Sequence, residues 1–233
     1  MNVDRNKDQE STVGAVIVAA GSSLRMGGGD KLFAPLCGEL LLARVLGVFE
    51  GCKAIDQIAV VVREEKVTET QKLIAERGWS KVGEVCIGGT RRQDSVRAGL
   101  ERLKGCEWVV VHDGARPLVT GDLIESGLKA AADTGAAVAA VPVTDTIKVA
   151  GPDRVVRYTP ARDSIWAVQT PQVFRYDILK KAYRKVKGEV TDDATVIEQL
   201  GHRVVLYRGS YDNIKITNPD DLVLAEFLLQ KRG

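Results

Sequence analysis

A loop of small residues with two basic side chains follows the first apolar segment of the sequence. It runs from Ala19 to Lys31 with the sequence AAGSSLRMGGGDK, and its cations are Arg25 and Lys31. Small residues let backbone N–H groups approach a polyphosphate closely, and the two cations neutralise its charge. The loop matches neither the G-x-G-x-x-G pattern of dinucleotide-binding folds nor the G-x-x-x-x-G-K-S/T pattern of P-loops. It therefore predicts a phosphate-binding loop of another kind, with an ordinary flexible connection as the alternative.

Two further groups of residues are suited to binding a nucleotide. Gly88 and Gly89 end an apolar segment, so their main-chain groups are open to a base, and Ser95 offers a hydroxyl nearby. A simple turn at the end of a strand is the alternative for the glycines. Asp113 ends another apolar segment, where a carboxylate can bind Mg²⁺ as the ion bridges phosphates. Arg116 follows closely and is suited either to an anionic substrate or to bracing its own loop.

Alternating strand and helix patterns must position these residues. Short apolar segments with the lengths of buried strands occupy residues 13–19, 57–63, 82–87, 108–112 and 136–143. Amphipathic segments with helical spacing occupy residues 40–50, 65–77, 91–104 and 122–133. This alternation predicts an α/β fold with a Rossmann-like, mainly parallel sheet and helices on both faces. Such sheets bind ligands at the carboxyl ends of their strands, which is where the loop, the glycine pair and Asp113 lie.

The alternation stops at residues 145–162, where a Gly-Pro-Asp turn joins two β-prone segments. This predicts a β-hairpin arm, at about 144–163, that protrudes from a single domain of residues 13–231. A lone hairpin is only marginally stable, so we expect the arm to pack on the same arm of a second subunit in a homodimer. Further helical patterns lie at 176–186 and 193–200, a strand pattern at 203–207, and a last helix begins with Asn218 as its cap.

The composition narrows the functional classes. The chain has 33 Lys and Arg against 31 Asp and Glu, and this net charge of +2 is too small to indicate nucleic acid or an anionic membrane as a partner. Its apolar runs are far shorter than the roughly 20 residues of a membrane-spanning helix. Residues 1–12 are predicted to be a disordered polar tail without the apolar core of a signal peptide. The 4 cysteines form no C-x-x-C pair, so we expect reduced thiols and a soluble cytoplasmic protein.

The loop pattern A-A-G-x-x-x-R-M followed by Lys resembles the signature of sugar-phosphate and polyol-phosphate nucleotidyltransferases. Seven later segments narrow the resemblance to the methylerythritol phosphate cytidylyltransferase family, because they stand in the order found there. They are residues 88–96, 112–117, 142–148, 162–166, 169–172, 191–194 and 212–217. Each segment is weak evidence alone, but the shared order over residues 13 to about 229 argues strongly against chance.

This resemblance implies an activity. Members join CTP and 2-C-methyl-D-erythritol 4-phosphate into CDP-methylerythritol and pyrophosphate, in the non-mevalonate isoprenoid pathway, with Mg²⁺ as cofactor. The nucleophile is then a phosphate oxygen that is ionised at neutral pH, so a structural role is favoured for His112 over that of a general base. Ribitol-5-phosphate cytidylyltransferase is one alternative, which segment 162–166 disfavours, and a non-catalytic CTP-binding protein is another.

The resemblance also implies roles for individual residues. Three cations are implied to be catalytic, by stabilising charge on the reacting phosphates: Arg25, Lys31 and Lys215. The residues that contact the nucleotide are Ala19, Ala20 and Gly21, together with Gly88, Gly89, Ser95 and Asp113, which are named above. The substrate phosphate is bound by Arg116, Thr146, Arg162 and Thr217. Of these, Thr146 and Arg162 reach the site from the neighbouring subunit's arm. Without the resemblance, an ordinary exposed lysine at the end of a strand is the alternative for Lys215.

The sequence departs from the family pattern at a few positions. Asp30 stands where Pro commonly precedes the loop lysine, and the glycines at 27–29 make the loop more flexible, which affects the reach of Lys31. Gly114 replaces a common Ala and Asp193 replaces a common Glu, and we expect the fold to tolerate both changes.

Overall fold

The computed structural model describes residues 11–21, 31–186 and 188–232 of the chain. Most of the predicted tail, and residues 22–30 of the basic loop, lie outside these described residues. The strands are β1 (Val13–Ala19), β2 (Pro35–Leu36), β3 (Glu39–Leu40), β4 (Gln57–Val62), β5 (Val82–Ile87), β6 (Trp108–Asp113), β7 (Ala136–Pro142), β8 (Val149–Ala150), β9 (Val156–Tyr158), β10 (Trp166–Arg175) and β11 (Val205–Arg208). The helices are α1 (Leu41–Gly51), α2 (Val67–Arg77), α3 (Arg92–Leu100), α4 (Gly121–Ala131), α5 (Tyr176–Lys185), α6 (Asp193–Glu198) and α7 (Pro219–Arg232).

The main sheet has seven strands in the order β11–β7–β10–β6–β1–β4–β5. Neighbouring strands are parallel except at β10, which runs antiparallel to both β6 and β7. The predicted α/β fold with a mainly parallel sheet is therefore confirmed. Because β6, β1, β4 and β5 all run in one direction, their carboxyl ends meet at one edge of the sheet, where ligands bind in such folds.

Helices cover both faces of this sheet because successive side chains of a strand point to opposite faces. In β1, Ala15 and Ile17 pack in one core with α1, α4 and α7, whereas Val16 packs in the other core with α3, α5 and α6. All three side chains are fully buried. Burying one large aliphatic side chain contributes roughly 1.5–3 kcal/mol to the stability of the fold. The two cores together therefore hold the strand ends in fixed positions.

Helix α3 is shorter than the sequence pattern predicts. It ends at Leu100 rather than at residue 104. The Tyr176 hydroxyl donates to the Leu100 carbonyl at 2.8 Å, and the chain then turns at Gly105, whose φ of +69° favours glycine. The Leu100 carbonyl, which would accept a backbone hydrogen bond in a longer helix, thus accepts one from the Tyr176 side chain instead.

Strand β10 is absent from the sequence prediction, which treats residues 169–172 only as a motif. This stretch, Gln-Thr-Pro-Gln, is polar and contains a proline, and both features count against a central strand. The register of β10 against β7 shifts between Val168 and Gln172, so the proline lies in an irregularity of the ladder. The prediction is wrong here because tertiary contacts bury these polar side chains.

A β-hairpin stands where the sequence predicts one. Strand β8 pairs antiparallel with β9, with Val149 opposite Tyr158. The side chains of Val155, Val156 and Tyr158 are exposed by 62%, 52% and 60%. The hairpin is confirmed, while its role in joining two subunits stays a prediction.

Two further expectations concern the chain as a whole. No helix within the described residues is long and apolar enough to cross a membrane. Each of the cysteines is a free thiol, as predicted, with Cys37 exposed and Cys52, Cys86 and Cys106 buried.

Candidate active site

Two adjoining clefts open at the carboxyl edge of the parallel strands. The first, of about 640 Å³, is lined by Gly21, Gly88 and Gly89 among others and is here termed the glycine cleft. The second, of about 530 Å³, is lined by the first turn of α6 and is here termed the α6 cleft. The side chains that line both clefts are Arg92, Asp113 and Lys215. Ligands in the two clefts therefore meet the same three charges.

Asp113 is held at this junction by two cations. Its Oδ1 accepts a hydrogen bond from Arg92 Nε at 3.0 Å, and its Oδ2 accepts one from Lys215 Nζ at 2.6 Å. Burial alone would raise the pKa of Asp113, but Arg92 and Lys215, with Arg116 nearby, hold it well below its usual range. Asp113 is therefore an ionised carboxylate at the carboxyl end of β6, where the sequence predicts it.

The glycines of the glycine cleft leave no room for side chains. A Cβ on Gly88 would lie 2.3 Å from the Ala20 Cβ, and a Cβ on Gly89 would lie 2.4 Å from the Asp94 Cβ. Main-chain groups therefore form this wall. The buried Ser95 hydroxyl accepts from the Gly89 N–H at 3.2 Å, so it holds the glycine turn and retains one acceptor lone pair for a ligand.

The first loop enters the same cleft. Ala20 and Gly21 line it, whereas Ala19 is 4% exposed and lies one residue back, at the end of β1. Arg25, the predicted catalytic arginine, lies outside the described residues, as does Asp30. The structure thus brings the start of the loop to the cleft beside the glycine pair.

Lys31 connects this loop to the segment before α7. Its Nζ donates to the Ile216 carbonyl at 2.9 Å, and the lysine lines the glycine cleft together with Thr217. The Thr217 hydroxyl donates to Asp221 Oδ2 at 2.6 Å. The predicted substrate ligand Thr217 therefore lies in the glycine cleft and not in the α6 cleft.

Arg116 lies in the α6 cleft, next to the shared junction. Its Nη1 donates to the Asn213 carbonyl at 2.7 Å, which fixes the side chain against the segment that carries Lys215. Burial lowers the pKa of Arg116, and Asp113 partly offsets that shift. A partly desolvated arginine that is braced in this way is suited to a phosphate group.

Thr146 and Arg162 lie away from both clefts of their own chain. Both side chains are exposed on the arm, and Arg162 Nη1 donates to the Thr144 carbonyl at 3.2 Å. Neither lines the glycine cleft or the α6 cleft. Within one chain the two clefts are therefore built without them.

His112 is enclosed and fully engaged. The Arg116 carbonyl beside Nε2 can only accept, so Nε2 carries the proton of the neutral ring and Nδ1 is an acceptor. Thr170 Oγ1 therefore donates to Nδ1 at 3.0 Å while it accepts from the Asp113 N–H, also at 3.0 Å. The other ring nitrogen, Nε2, then donates to the Arg116 carbonyl at 3.2 Å. Burial lowers the pKa of His112 to about 3. A neutral, fully buried ring with both nitrogens occupied is a structural histidine.

Comparison with known proteins decides the family. The model of the family described as 2-C-methyl-D-erythritol 4-phosphate cytidylyltransferase matches residues 13–231. The chain belongs to this cytidylyltransferase family.

Individual relatives agree along almost the whole length. A protein of the same name from Dehalococcoides mccartyi is 52% identical over 219 residues, which cover 94% of this chain and 96% of the relative. One from Symbiobacterium thermophilum is 46% identical over 226 residues, covering 95% and 94%. The crystal structure of 4-diphosphocytidyl-2C-methyl-D-erythritol synthase from Anaerococcus prevotii has a TM-score of 0.84 at 30% identity, covering 95% of this chain and 97% of that one.

Membership of a nucleotidyltransferase family implies a divalent metal requirement, and Asp113 is the carboxylate at the junction that can take part in holding the ion. Among the described residues no three His, Cys, Asp or Glu side chains converge to hold an ion by themselves. Each Asp113 oxygen is engaged by one cation and keeps lone-pair capacity. Ions such as Mg²⁺ are often held by one carboxylate with substrate phosphates. Asp113 fits a metal that arrives with a polyphosphate.

Three residues without a role in the sequence-based prediction, Arg92, Thr170 and Asp193, lie in this cytidylyltransferase site or directly behind it. Arg92 and Thr170 both contact Asp113, and Arg92 Nη1 also lies 2.8 Å from Asp193 Oδ2. All three fall in segments that resemble the family, which is the signal that the sequence offers. Only the fold reveals that α3, β10 and α6 bring them together at the end of β6.

Proposed function

We propose that this protein is a cytidylyltransferase that joins CTP and 2-C-methyl-D-erythritol 4-phosphate. A phosphate oxygen of the polyol attacks the α-phosphorus of CTP, and the bond to the bridging oxygen of the β-phosphate breaks. CDP-methylerythritol and pyrophosphate form. The attacking oxygen is ionised at neutral pH, so no protein base has to remove a proton. The buried, neutral His112 agrees with a reaction that needs none.

The junction of the two clefts at Arg92, Asp113 and Lys215 carries this proposal. A transfer between two phosphorylated ligands needs two pockets that meet at charged groups. A protein that only bound CTP would need one pocket. The second cleft, with Arg116 beside the junction, therefore favours catalysis over the binding-protein alternative.

Each ligand has a cleft that suits it. The nucleotide occupies the glycine cleft, where the main chain of Gly88 and Gly89 faces the base and the start of the first loop, at Ala20 and Gly21, faces the triphosphate. The polyol phosphate occupies the α6 cleft, with Arg116 as its cation. Thr146 and Arg162 from the arm of a second subunit complete that site, and Thr217 contacts the ligands from the glycine cleft.

Catalysis is mainly electrostatic. Arg25, Lys31 and Lys215 stabilise the negative charge that develops around the α-phosphorus, while the two clefts hold the attacking and leaving oxygens in line. Asp113, together with the triphosphate, would hold Mg²⁺, which would supply further neutralisation of phosphate charge.

Pyrophosphate release tests the reaction. Purified protein is supplied with Mg²⁺ and CTP, with methylerythritol phosphate and ribitol 5-phosphate in parallel reactions. We expect release with methylerythritol phosphate. Release only with ribitol 5-phosphate would keep the chemistry and replace the substrate, and release with neither would leave a CTP-binding protein.

The assembly and the location are part of the proposal. The exposed Val155, Val156 and Tyr158 support a homodimer in which two arms cover each other. A cytoplasmic location is supported by the four free thiols, which persist in a reducing compartment.

A further inference from the structure

Arg92 makes two ion pairs that point in different directions. Its Nε donates to Asp113 Oδ1 at 3.0 Å, and its Nη1 lies 2.8 Å from Asp193 Oδ2. Arg92 begins α3, Asp113 ends β6 and Asp193 begins α6, so one guanidinium joins three elements. Burial alone would lower the pKa of Arg92, but the two carboxylates raise it, and the guanidinium stays charged.

Asp193 is closed off from both clefts. Its side chain has no exposed surface, and within the described residues its Oδ2 has the ion pair with Arg92 but no aligned hydrogen bond. Its Oδ1 accepts a short hydrogen bond from the Tyr183 hydroxyl. A buried carboxylate without an opposite charge is strongly unfavourable, so Asp193 and Arg92 hold each other in place. Because it is enclosed, Asp193 acts on the site only through Arg92.

The first turn of α6 is itself fixed. Asp192 caps the helix, since its Oδ1 accepts from the Thr195 N–H at 3.0 Å. The other oxygen of Asp192 accepts from Gln172 Nε2 of β10 at 3.1 Å. Asp193, the next residue, is therefore attached to a braced helix end and serves as a rigid anchor.

We propose that Arg92 is a positioning residue for the transfer reaction: anchored on Asp193, it fixes the Asp113 carboxylate between the two clefts. The inference rests on the proposed function, because it concerns the site of that reaction. Lys215 holds the other oxygen of Asp113, but its side chain is 40% exposed and turns to the reacting phosphates in the proposed mechanism. Arg92 is then the contact that keeps Asp113 in place.

Only an arginine makes this bridge. The guanidinium carries donors on separate edges of a rigid fork, whereas lysine carries one ammonium. Arg92→Lys therefore keeps the charge and breaks the bridge, and Asp193→Asn keeps the shape and removes the anchoring charge. Arg91→Lys is the matched control, because Arg91 is the adjacent residue and pairs with Asp94 at 2.8 Å outside both clefts.

Steady-state kinetics with CTP and methylerythritol phosphate separate positioning from a merely structural role, with thermal melting to verify folding. We expect kcat to fall about tenfold or more in Arg92→Lys and in Asp193→Asn, while KM for CTP changes less than about threefold, because the placement of Asp113 matters most in the transition state. The double variant should lose no more than the worse single variant, since both changes cut one bridge. Arg91→Lys should keep the unmodified kcat.

Two results overturn the inference. One is a double variant whose loss in kcat is the product of the losses in the two single variants, and the other is a folded Asp193→Asn whose kcat equals that of the unmodified protein. If Asp193→Asn does not fold, Tyr183→Phe takes its place, because it removes only the hydroxyl that bonds Asp193. A kcat lowered about threefold or more then supports the inference, and an unchanged kcat rejects it. If the unmodified protein releases no pyrophosphate, the proposed function fails and the inference with it. If it is active but the variants are uncoupled, the inference alone fails.

Discussion

Lys215 pairs with Asp113 at the junction of the two clefts, with an Nζ–Oδ2 distance of 2.6 Å. The lysine side chain is 40% exposed and the aspartate only 10%, so the ammonium can turn towards a ligand without leaving the cleft. Without Lys215 the buried Asp113 carboxylate still has the ion pair with Arg92, so it is not left without an opposite charge. Under the proposed function, Lys215 is therefore expected to contribute mainly to catalysis and little to folding.

Lys215→Met tests that assignment. We expect kcat to fall about 10²–10³-fold, as when one donor to a developing oxyanion is removed, with a nearly unchanged melting temperature. Lys72→Met is the control, because Lys72 is 75% exposed on α2 and pairs only loosely with Glu76 at 3.7 Å. Pyrophosphate release and thermal melting give both quantities. A kcat in Lys215→Met equal to that of the control variant would remove Lys215 from the catalytic set.

The cysteines give a pH-dependent prediction at the same scale. Burial, with a smaller effect of Asp56, raises the pKa of the Cys106 thiol from 9.0 to about 11. Its stabilising contribution is therefore complete below pH 9.0 and is lost as the pH rises towards 11. Near pH 8 we expect a thiol-specific reagent to modify Cys37 rapidly and the buried thiols only after unfolding. The fast phase should vanish in Cys37→Ser, and fast labelling of that variant would contradict the buried positions.

At the scale of elements, β1 and β5 were predictable because each is a short segment of largely apolar, β-prone residues. The apolar segments at 13–19 and 82–87 coincide with Val13–Ala19 and Val82–Ile87. Strand β10 was not predictable, because its polar centre is stabilised by residues far away in sequence. Thr170 accepts from the Asp113 N–H, and Gln172 donates to Asp192, contacts that no local pattern encodes. Tertiary hydrogen bonds here override local propensity.

The start of α7 is an element that local signals do specify. Asn218 Oδ1 accepts from the Asp221 N–H at 3.0 Å, as its predicted capping role requires. In return Asp221 Oδ2 accepts from the N–H groups of Thr217 and Asn218 at 2.6 and 2.9 Å. Burial alone would raise the pKa of Asp221, but these hydrogen bonds, those from Thr217 foremost, lower it. The stabilisation is therefore present above about pH 4 and is lost on further acidification.

Replacing Asp221 measures how much this cap contributes to the stability of the protein. Asp221→Ala should lower the free energy of unfolding by about 1 kcal/mol near neutral pH, because it removes the reciprocal hydrogen bonds at the helix start. Asp220→Ala is the control, since Asp220 also stands in the first turn and feels the same helix dipole without those bonds. Urea unfolding followed by circular dichroism gives both values. Equal losses in the two variants would mean that only the negative charge matters.

At the scale of the whole molecule, the sequence predicts which residues carry chemistry better than how they meet. The family resemblance singles out Asp113, Arg116 and Lys215, which the fold brings to one junction. The bridge from Arg92 to Asp193 could not be predicted, because it depends on the first residues of α3 and α6 meeting on one face of the sheet. Sequence patterns describe single elements, and such a contact exists only between them.

The hairpin arm also carries predicted site residues whose contacts depend on packing, here between two chains. Thr146 and Arg162 line neither cleft of their own chain, yet the family resemblance implies that they bind the substrate phosphate. The apolar Val155, Val156 and Tyr158 are exposed on the same hairpin. Both observations are accounted for if the two arms of a dimer pack on each other through these apolar side chains and each arm brings its Thr146 and Arg162 to the α6 cleft of the other subunit. Each active site is then composite, with a body from one chain and an arm from the other.

Mixed dimers test the composite site directly. Arg162→Ala damages the arm and Lys215→Ala damages the body, so each variant alone should be nearly inactive. Co-expressed in equal amounts, they form mixed dimers in which one of the two sites has an intact body and an intact arm. We expect recovery of about a quarter of the unmodified activity, since half of the dimers are mixed and half of their sites are intact. The matched control pairs Lys31→Ala with Lys215→Ala, two body defects that no arrangement of arms can repair. Activity that returns only in the first mixture establishes a shared site, whereas no recovery in either means that each arm serves its own chain.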